Sequence, residues 1–224
     1  MLTYAQSSPI TTDSASNASI VYVVDDDESI RFALQGLVRS AGLQVETFDC
    51  LKQFLAFPKR DAPSCLILDV RLRGESGLAF QEEASRCGVH IPILFMSAHG
   101  DIAMTVKAMK AGAHDFFSKP FRGQDMLDAI GRALERDAEQ RKSERDMAMV
   151  RGFYESLTQR ERQVLEFVVA GLLNKQIASE LNLSEVTVKI YRGHVMKKMG
   201  ARTVPDLVRK ANALGLDSCR LRLP

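Results

Sequence analysis

The chain has 224 residues, is 46% hydrophobic and 26% charged, and carries a formal net charge of +2. That length fits one large or two ordinary domains, and that composition excludes disordered and fibrous classes. The four cysteines, Cys50, Cys65, Cys87 and Cys219, form no C-x-x-C pair and have no histidine at metal-ligand spacing, so buried thiols in a reducing compartment are expected. No apolar run approaches the roughly 18 residues that span a bilayer. The N-terminus lacks the basic start and apolar core of a signal peptide, so a cytoplasmic protein is expected.

The small net charge hides an asymmetry. Residues 19–136 carry 14 Lys+Arg against 16 Asp+Glu, whereas residues 156–224 carry 12 against 6. A basic final third suggests a polyanion partner for that part alone, although many basic segments are simply solvated.

Residues 1–18 include SSPITTDSASNAS, rich in Ser and Thr, and predict a disordered tail. From Ile20 the pattern changes. IVYVV (20–24) is a β-branched run ending on DDDE, and Ile30, Ala33, Leu34, Leu37, Val38 and Ala41 then recur at helical spacing before Gly42. VETF (45–48) is a second strand and LKQFLAF (51–57) a short helix closed by Pro58. CLILD (65–69) is a continuous apolar run ending on a carboxylate, as expected of a strand buried on both faces. LAFQEEASRC (78–87), IPILFMS (91–97), DIAMTVKAMKAGA (101–113) and DFFS (115–118) continue the alternation, and a further helix runs on from Gln124. Five strand–helix repeats predict βαβ units in a doubly wound parallel sheet with right-handed crossovers, of flavodoxin-like strand order 2-1-3-4-5.

In that fold the carboxyl ends of the strands meet at one crevice. They deliver Asp25 and Asp26, Asp69, Ser97 and Lys119. Each alone has an ordinary explanation as a turn residue, a helix cap or a solvated cation. Five such coincidences at one crevice point instead to a site. Three clustered carboxylates repel one another and invite a divalent cation, and an oxygen-only ligand set suggests Mg²⁺. One carboxylate could then attack a phosphoryl group. The metal and Lys119 would offset its charge, and Ser97 would donate a hydrogen bond to it.

The motifs VVDDDES, LILDVRLRGESG, LFMSAHGD and MKAGAHDFFSKPF resemble those of a two-component response regulator receiver domain across residues 20 to about 136. The resemblance implies Asp69 as phosphoacceptor and Asp25, Asp26 and the backbone carbonyl of Arg71 as further Mg²⁺ ligands. It implies Ser97 and Lys119 as the groups that meet the phosphoryl oxygens, and Phe116 as an aromatic switch, in preference to a plain core aromatic. The Lys119–Pro120 bond is often cis in this family. One departure stands out: the family usually has proline four residues after the phosphoacceptor, and this chain has Arg73.

RDAEQRKSERD (136–146) mixes both charge signs with good helix formers, so residues 137–155 predict a solvated helical linker, with flexible coil as the alternative. No a/d seam persists, which argues against a coiled coil. A helical module follows over 156–224. LTQRERQVLEFVVAG (157–171) has Thr158 as N-cap and Glu161 three residues on. NKQIASEL (174–181), a helix from Ser184 to Gly200, and TVPDLVRKANALG (203–215) complete four helices, of which the second and third form a helix-turn-helix. At 100° per residue Val188, Tyr191, Val195 and Met199 share one face of the third helix. Val186, Lys189, Ile190, Gly193, His194 and Lys197 share the other. Apolar residues among lysines suit a major groove, where they can meet thymine methyls.

LTQRERQVL and GLLNKQIASELNLSEVTVKIY resemble the LuxR/FixJ-type DNA-binding domain over residues 157–215. That resemblance implies base contacts near Lys189, Ile190 and Gly193, with Lys197 on the same face, and phosphate contacts around Asn174, Lys175, Ser184 and Thr187. The family commonly has histidine where Tyr191 stands. Together the halves resemble the NarL/FixJ class of response regulators. The class implies a cognate sensor histidine kinase, double-stranded promoter DNA, homodimerisation on phosphorylation and RNA polymerase as partners, with Mg²⁺ as cofactor. Two other readings are open. One is a haloacid-dehalogenase-like phosphatase, which needs an acidic residue where Arg71 stands. The other is a constitutive DNA-binding protein with a non-switching receiver.

Overall fold

The computed structural model describes residues 18–73, 75–84, 86, 88–98 and 102–216. The expected N-terminal tail, apart from Ala18, lies outside the described residues, as do Cys87 and Cys219. The described chain divides into two units, one running to Arg141 and the other starting at Lys142.

In the first unit, strands β1 (Ile20–Val24), β2 (Gln44–Phe48), β3 (Ser64–Asp69), β6 (Ile93–Ser97) and β7 (Asp115–Ser118) form one parallel sheet, ordered β2-β1-β3-β6-β7. Counted along the chain this is the expected 2-1-3-4-5. Helices α1 (Glu28–Ser40), α2 (Leu51–Ala56), α3 (Gly77–Ala84), α4 (Ile102–Lys110) and the start of α5 (Gly123–Glu155) fill the connections. The apolar runs are continuous because both faces of the sheet are covered. Ile20, Tyr22, Val24, Leu66, Leu68 and Phe95 pack on one side with Phe54 and Phe80; Val21, Val23, Ile67, Leu94 and Met96 pack on the other with Leu34, Val38, Met126 and Ile130. Cys65 is buried in the second layer, where burial pushes its thiol pKa up and leaves it inert.

Two local features go beyond the sequence reading. A small antiparallel hairpin, β4 (Arg71–Leu72) with β5 (Glu75–Ser76), follows β3. And α1 starts two residues before Ile30, because Asp27 caps it by accepting from the amides of Ser29 and Ile30.

The larger departure lies in α5. Residues 137–155 are helical, but not all are solvated. Asp137 is buried and accepts from the Ser64 amide at 2.8 Å. Arg141 donates to Asp137 at 2.5 Å, to Asp61 at 3.1 Å and to the Ser64 hydroxyl at 3.3 Å. The parallel ladder leaves the first amide of β3 in need of an acceptor, and a residue 73 positions later in the chain supplies it. The first unit therefore extends past residue 136, where the composition places its end.

In the second unit the end of α5 is followed by α6 (Gln159–Val169), α7 (Asn174–Leu181), α8 (Glu185–Lys198) and α9 (Val204–Ala213). The expected Thr158–Glu161 capping box and the Ser184 cap are present, and Thr203 caps α9 in addition. Asn182 takes a left-handed φ of 53°, which asparagine tolerates, and ends α7. Val164, Leu165, Ile177, Val188, Val195, Met199 and Leu207 form the core, with Val150, Phe153 and Tyr154 of α5 packed against it.

Asp137→Ala would leave the Ser64 amide without its acceptor and take from Arg141 one of its three partners. It is expected to destabilise the first unit by about 2–4 kcal/mol, read as a lowered urea midpoint with an unchanged slope.

Candidate functional site

The register of the sheet brings the ends of its strands level. Val24 pairs with Leu68, Asp69 with Met96, and Ser97 with Ser118. The residues at and just beyond those ends, Asp25, Asp26, Asp69, Ser97 and Lys119, are thereby gathered at one rim. Asp25, Asp26, Asp69, Lys119 and Arg73 line a cleft of about 990 Å³, with Asp27, Glu28, Asp49 and Gln53 among the other lining residues.

Lys119 is the centre of the arrangement. Its Nζ donates to Asp25 Oδ2 at 2.7 Å and also to Asp69 Oδ2. The Lys119–Pro120 bond is cis, and the Lys119 amide donates to the Ser97 carbonyl at 2.8 Å. Asp25 is fully buried; its Oδ1 accepts from the Asp27 amide at 2.9 Å, and its carbonyl accepts from Arg31 at 2.7 Å. Asp69 Oδ1 accepts from the Arg71 amide at 2.8 Å. The Ser97 hydroxyl is buried, 4.0 Å from Met104 Sδ on α4. Phe116 is partly buried against the core layer that contains Met104.

Two carboxylates share one ammonium, so negative charge remains in a buried place. Burial, aided by Asp69, raises the Asp25 pKa against the opposing pull of Lys119. For Lys119, burial acts to lower the pKa, but its hydrogen bonds to Asp25 and Asp69 outweigh that and raise it. The ammonium is thus firmly charged, and the trio carries a net negative charge.

The donor set is compatible with a hard divalent cation. It offers carboxylate and carbonyl oxygens only. Among the described residues no three acidic, His or Cys side chains close into a metal-binding group. Mg²⁺ does not require such a cage, since it commonly takes one or two carboxylates and keeps its waters. Asp26 faces the cleft but meets Arg73, whose Nε lies 3.1 Å from Asp26 Oδ2.

Sequence reasoning missed two participants here. Arg31 holds the Asp25 carbonyl. Gly77 is the other: a Cβ there would lie 2.4 Å from the Asp69 carbonyl oxygen. Nothing in GESG distinguishes a turn glycine from one that must admit a neighbouring backbone.

In the second unit the two faces of α8 separate as expected. Val188, Val195 and Met199 are buried and Tyr191 packs partly with them. Val186 and Ile190 are 69% and 53% exposed, beside exposed Lys189, Gly193, His194 and Lys197. Nothing in the structure lies within 4 Å of a Cβ built on Gly193, so no internal packing demands glycine there. Lys175 is exposed. Ser184 and Thr187 spend their hydroxyls partly on each other and on the helix cap. Asn174 accepts from Arg192 at 2.7 Å, which ties α7 to α8 and engages a residue the sequence reading passed over.

Glu161 has a second role beyond its capping box. It is buried and accepts from Lys198 near the end of α8 at 2.7 Å, besides the amide and hydroxyl of Thr158. Burial acts to raise its pKa, but the Lys198 and Thr158 hydrogen bonds prevail and hold it below the ordinary glutamate value. This one carboxylate fixes α8 against α6.

Two predictions follow from these positions. Gly77→Ala forces a carbon against the Asp69 backbone, which cannot yield as a side-chain tip can; a loss of about 1–3 kcal/mol in denaturant unfolding is expected. Glu161 has a depressed folded-state pKa, so its contribution is present above the unfolded value and is lost as pH falls through the folded one. Melting temperature should therefore fall between about pH 6 and pH 3, and Glu161→Gln should lower it at neutral pH while flattening that fall.

Residues 21–131 match the response regulator receiver domain family, and residues 155–211 match the bacterial regulatory proteins of the luxR family. Nodulation protein W of Bradyrhizobium diazoefficiens is 52% identical over 204 residues, covering 91% of this chain and 90% of that protein. The transcriptional regulatory protein FixJ of Azorhizobium caulinodans is 41% identical over 196 residues, 88% of this chain and 93% of its own length. Among solved structures, the response regulator StyR has a TM-score of 0.79 at 47% identity, over 87% of this chain and 98% of that one.

Proposed function

The chain belongs to the NarL/FixJ class of response regulators, a receiver domain followed by a LuxR-type DNA-binding domain, and on that premise we propose that it is a phosphorylation-controlled transcription factor whose phosphoacceptor is Asp69. The observation that carries this reading is the single ammonium of Lys119 held between Asp25 and Asp69 at the rim of the sheet.

The chemistry is a phosphoryl transfer. A carboxylate oxygen of Asp69 attacks phosphorus, the P–N bond to the histidine of a sensor kinase breaks, and the imidazole nitrogen leaves with the electron pair. Asp25, Asp26, Asp69 and the Arg71 carbonyl would hold Mg²⁺, which when bound neutralises charge on the transferring group. Lys119, already charged and aimed at Asp69, pairs with one phosphoryl oxygen. Ser97 turns its hydroxyl from the side of Met104 toward another. Phe116 lies in the same core layer as Met104, so a shift of α4 and a turn of this ring favour one another. These movements would remodel the face formed by α4, β7 and α5 and promote homodimerisation.

On DNA, Lys189, Ile190, Gly193 and Lys197 of α8 are assigned to the major groove, and Asn174, Lys175, Ser184 and Thr187 to flanking phosphates. A dimer would engage two half-sites about 34 Å apart, gaining affinity by linkage of two weak contacts. RNA polymerase is the partner such binding implies. No helix among the described residues is long and apolar enough to cross a membrane, and a cytoplasmic location suits partners of this kind.

The test uses the full chain, genomic DNA fragments and a small phosphodonor with Mg²⁺. Labelling of the wild type, none of Asp69→Asn, and at least about ten-fold tighter fragment binding on labelling are expected, with Lys189→Ala weakening that binding. Persistent labelling of Asp69→Asn would reject the site. Labelling that leaves DNA binding unchanged would favour a constitutive regulator.

A further inference from the structure

Of the three carboxylates at the sheet rim, Asp25 and Asp69 are engaged by Lys119. Asp26 is held by a different cation. Arg73 reaches it from the turn of the β4–β5 hairpin, Nε to Oδ2, at 3.1 Å. The hairpin is anchored: Leu72 is buried, Arg71 pairs with Ser76 and Leu72 with Glu75. The guanidinium itself faces solvent, with 86% of the Arg73 side chain exposed against 27% of Asp26.

The charges make the consequence definite. Asp25, Asp69 and Lys119 together leave one negative charge, and Asp26 adds a second. Arg73 cancels that second charge. A divalent cation entering the cleft therefore meets a site half neutralised by a side chain of the same chain, seated on one of the ligands it needs.

We infer that Arg73 is a tethered competitor for the metal site. It occupies Asp26, must be displaced when a divalent cation binds there, and so sets a weaker metal affinity than the same carboxylates would have alone. The inference rests on the assignment of Asp26 as a metal ligand made above. It gives the arginine at this position a physical role: proline, the residue usual there in the family, has no charge to place on Asp26. The size of the effect is bounded by the exposure of the pair. An exposed ion pair alters an equilibrium constant by up to about five-fold. Arg73 thus tunes the metal site without closing it, and shifts the Mg²⁺ concentration at which phosphorylation becomes efficient.

The experiment is a calorimetric titration of the full chain with Mg²⁺ and no phosphodonor. It uses the wild type, Arg73→Gln, Asp26→Asn and the double variant, with circular dichroism confirming that each is folded. Arg73→Gln is expected to tighten Mg²⁺ binding about three- to five-fold. In the Asp26→Asn background the same substitution should change it by less than about 1.5-fold, because the contact it removes is already gone. An unchanged dissociation constant for Arg73→Gln overturns the inference. So does an equal gain in both backgrounds, which would mean diffuse repulsion rather than occupation of Asp26. If no variant binds Mg²⁺, the metal-site assignment falls and the inference with it; binding that ignores Arg73 removes the inference alone.

Discussion

Two carboxylates sharing one ammonium is the constraint around which the first unit is built. A buried carboxylate is expensive unless it is paired and hydrogen-bonded. Asp25 meets that demand with Lys119, the Asp27 amide and nothing from solvent; Asp69 meets it with Lys119 and the Arg71 amide. The pairing leaves one negative charge of this trio uncompensated at the rim. A rim with two ammoniums would be better satisfied and chemically idle. The surrounding structure supports the imbalance: the ends of β1, β3 and β7 deliver the groups, Arg31 holds the Asp25 carbonyl, Gly77 leaves room for the Asp69 carbonyl, and the β4–β5 hairpin brings Arg73 to the remaining carboxylate.

The second unit solves a related problem with the opposite outcome. Glu161 is a buried carboxylate whose hydrogen-bonding capacity is met by Lys198 and Thr158. No charge is left over there, and the group acts as a bracket between α6 and α8. The outer face of α8 takes no part in this packing. That face leaves Val186 and Ile190 in contact with solvent among lysines, an arrangement with no benefit to folding.

Local pattern made much of this legible. Continuous apolar runs ending in carboxylates identify strands buried on both faces, and their alternation with helices is enough for the sheet order that the structure has. The strand-end residues could be nominated as a group because topology places strand ends together whatever the side chains do. The capping box at Thr158 and the two faces of α8 were likewise readable, since caps and helical periodicity are matters of a few neighbouring residues.

What the sequence by itself determined is therefore the fold class, the strand order and the identity of the residues at the rim. What only the tertiary structure decided is how the charged residues pair. Asp137 with the Ser64 amide, Arg73 with Asp26 and Glu161 with Lys198 link positions 37 to 73 residues apart. In the sequence none of these pairings shows: Asp137 and Lys198 look like ordinary solvated charges, and Asp26, Arg73 and Glu161 stand out there for other reasons. Hydrophobic patterning leaves a local trace because burial repeats with the period of the element. A charge pair leaves none, because its partner is chosen by which backbone segments the packed core happens to bring within about 3 Å.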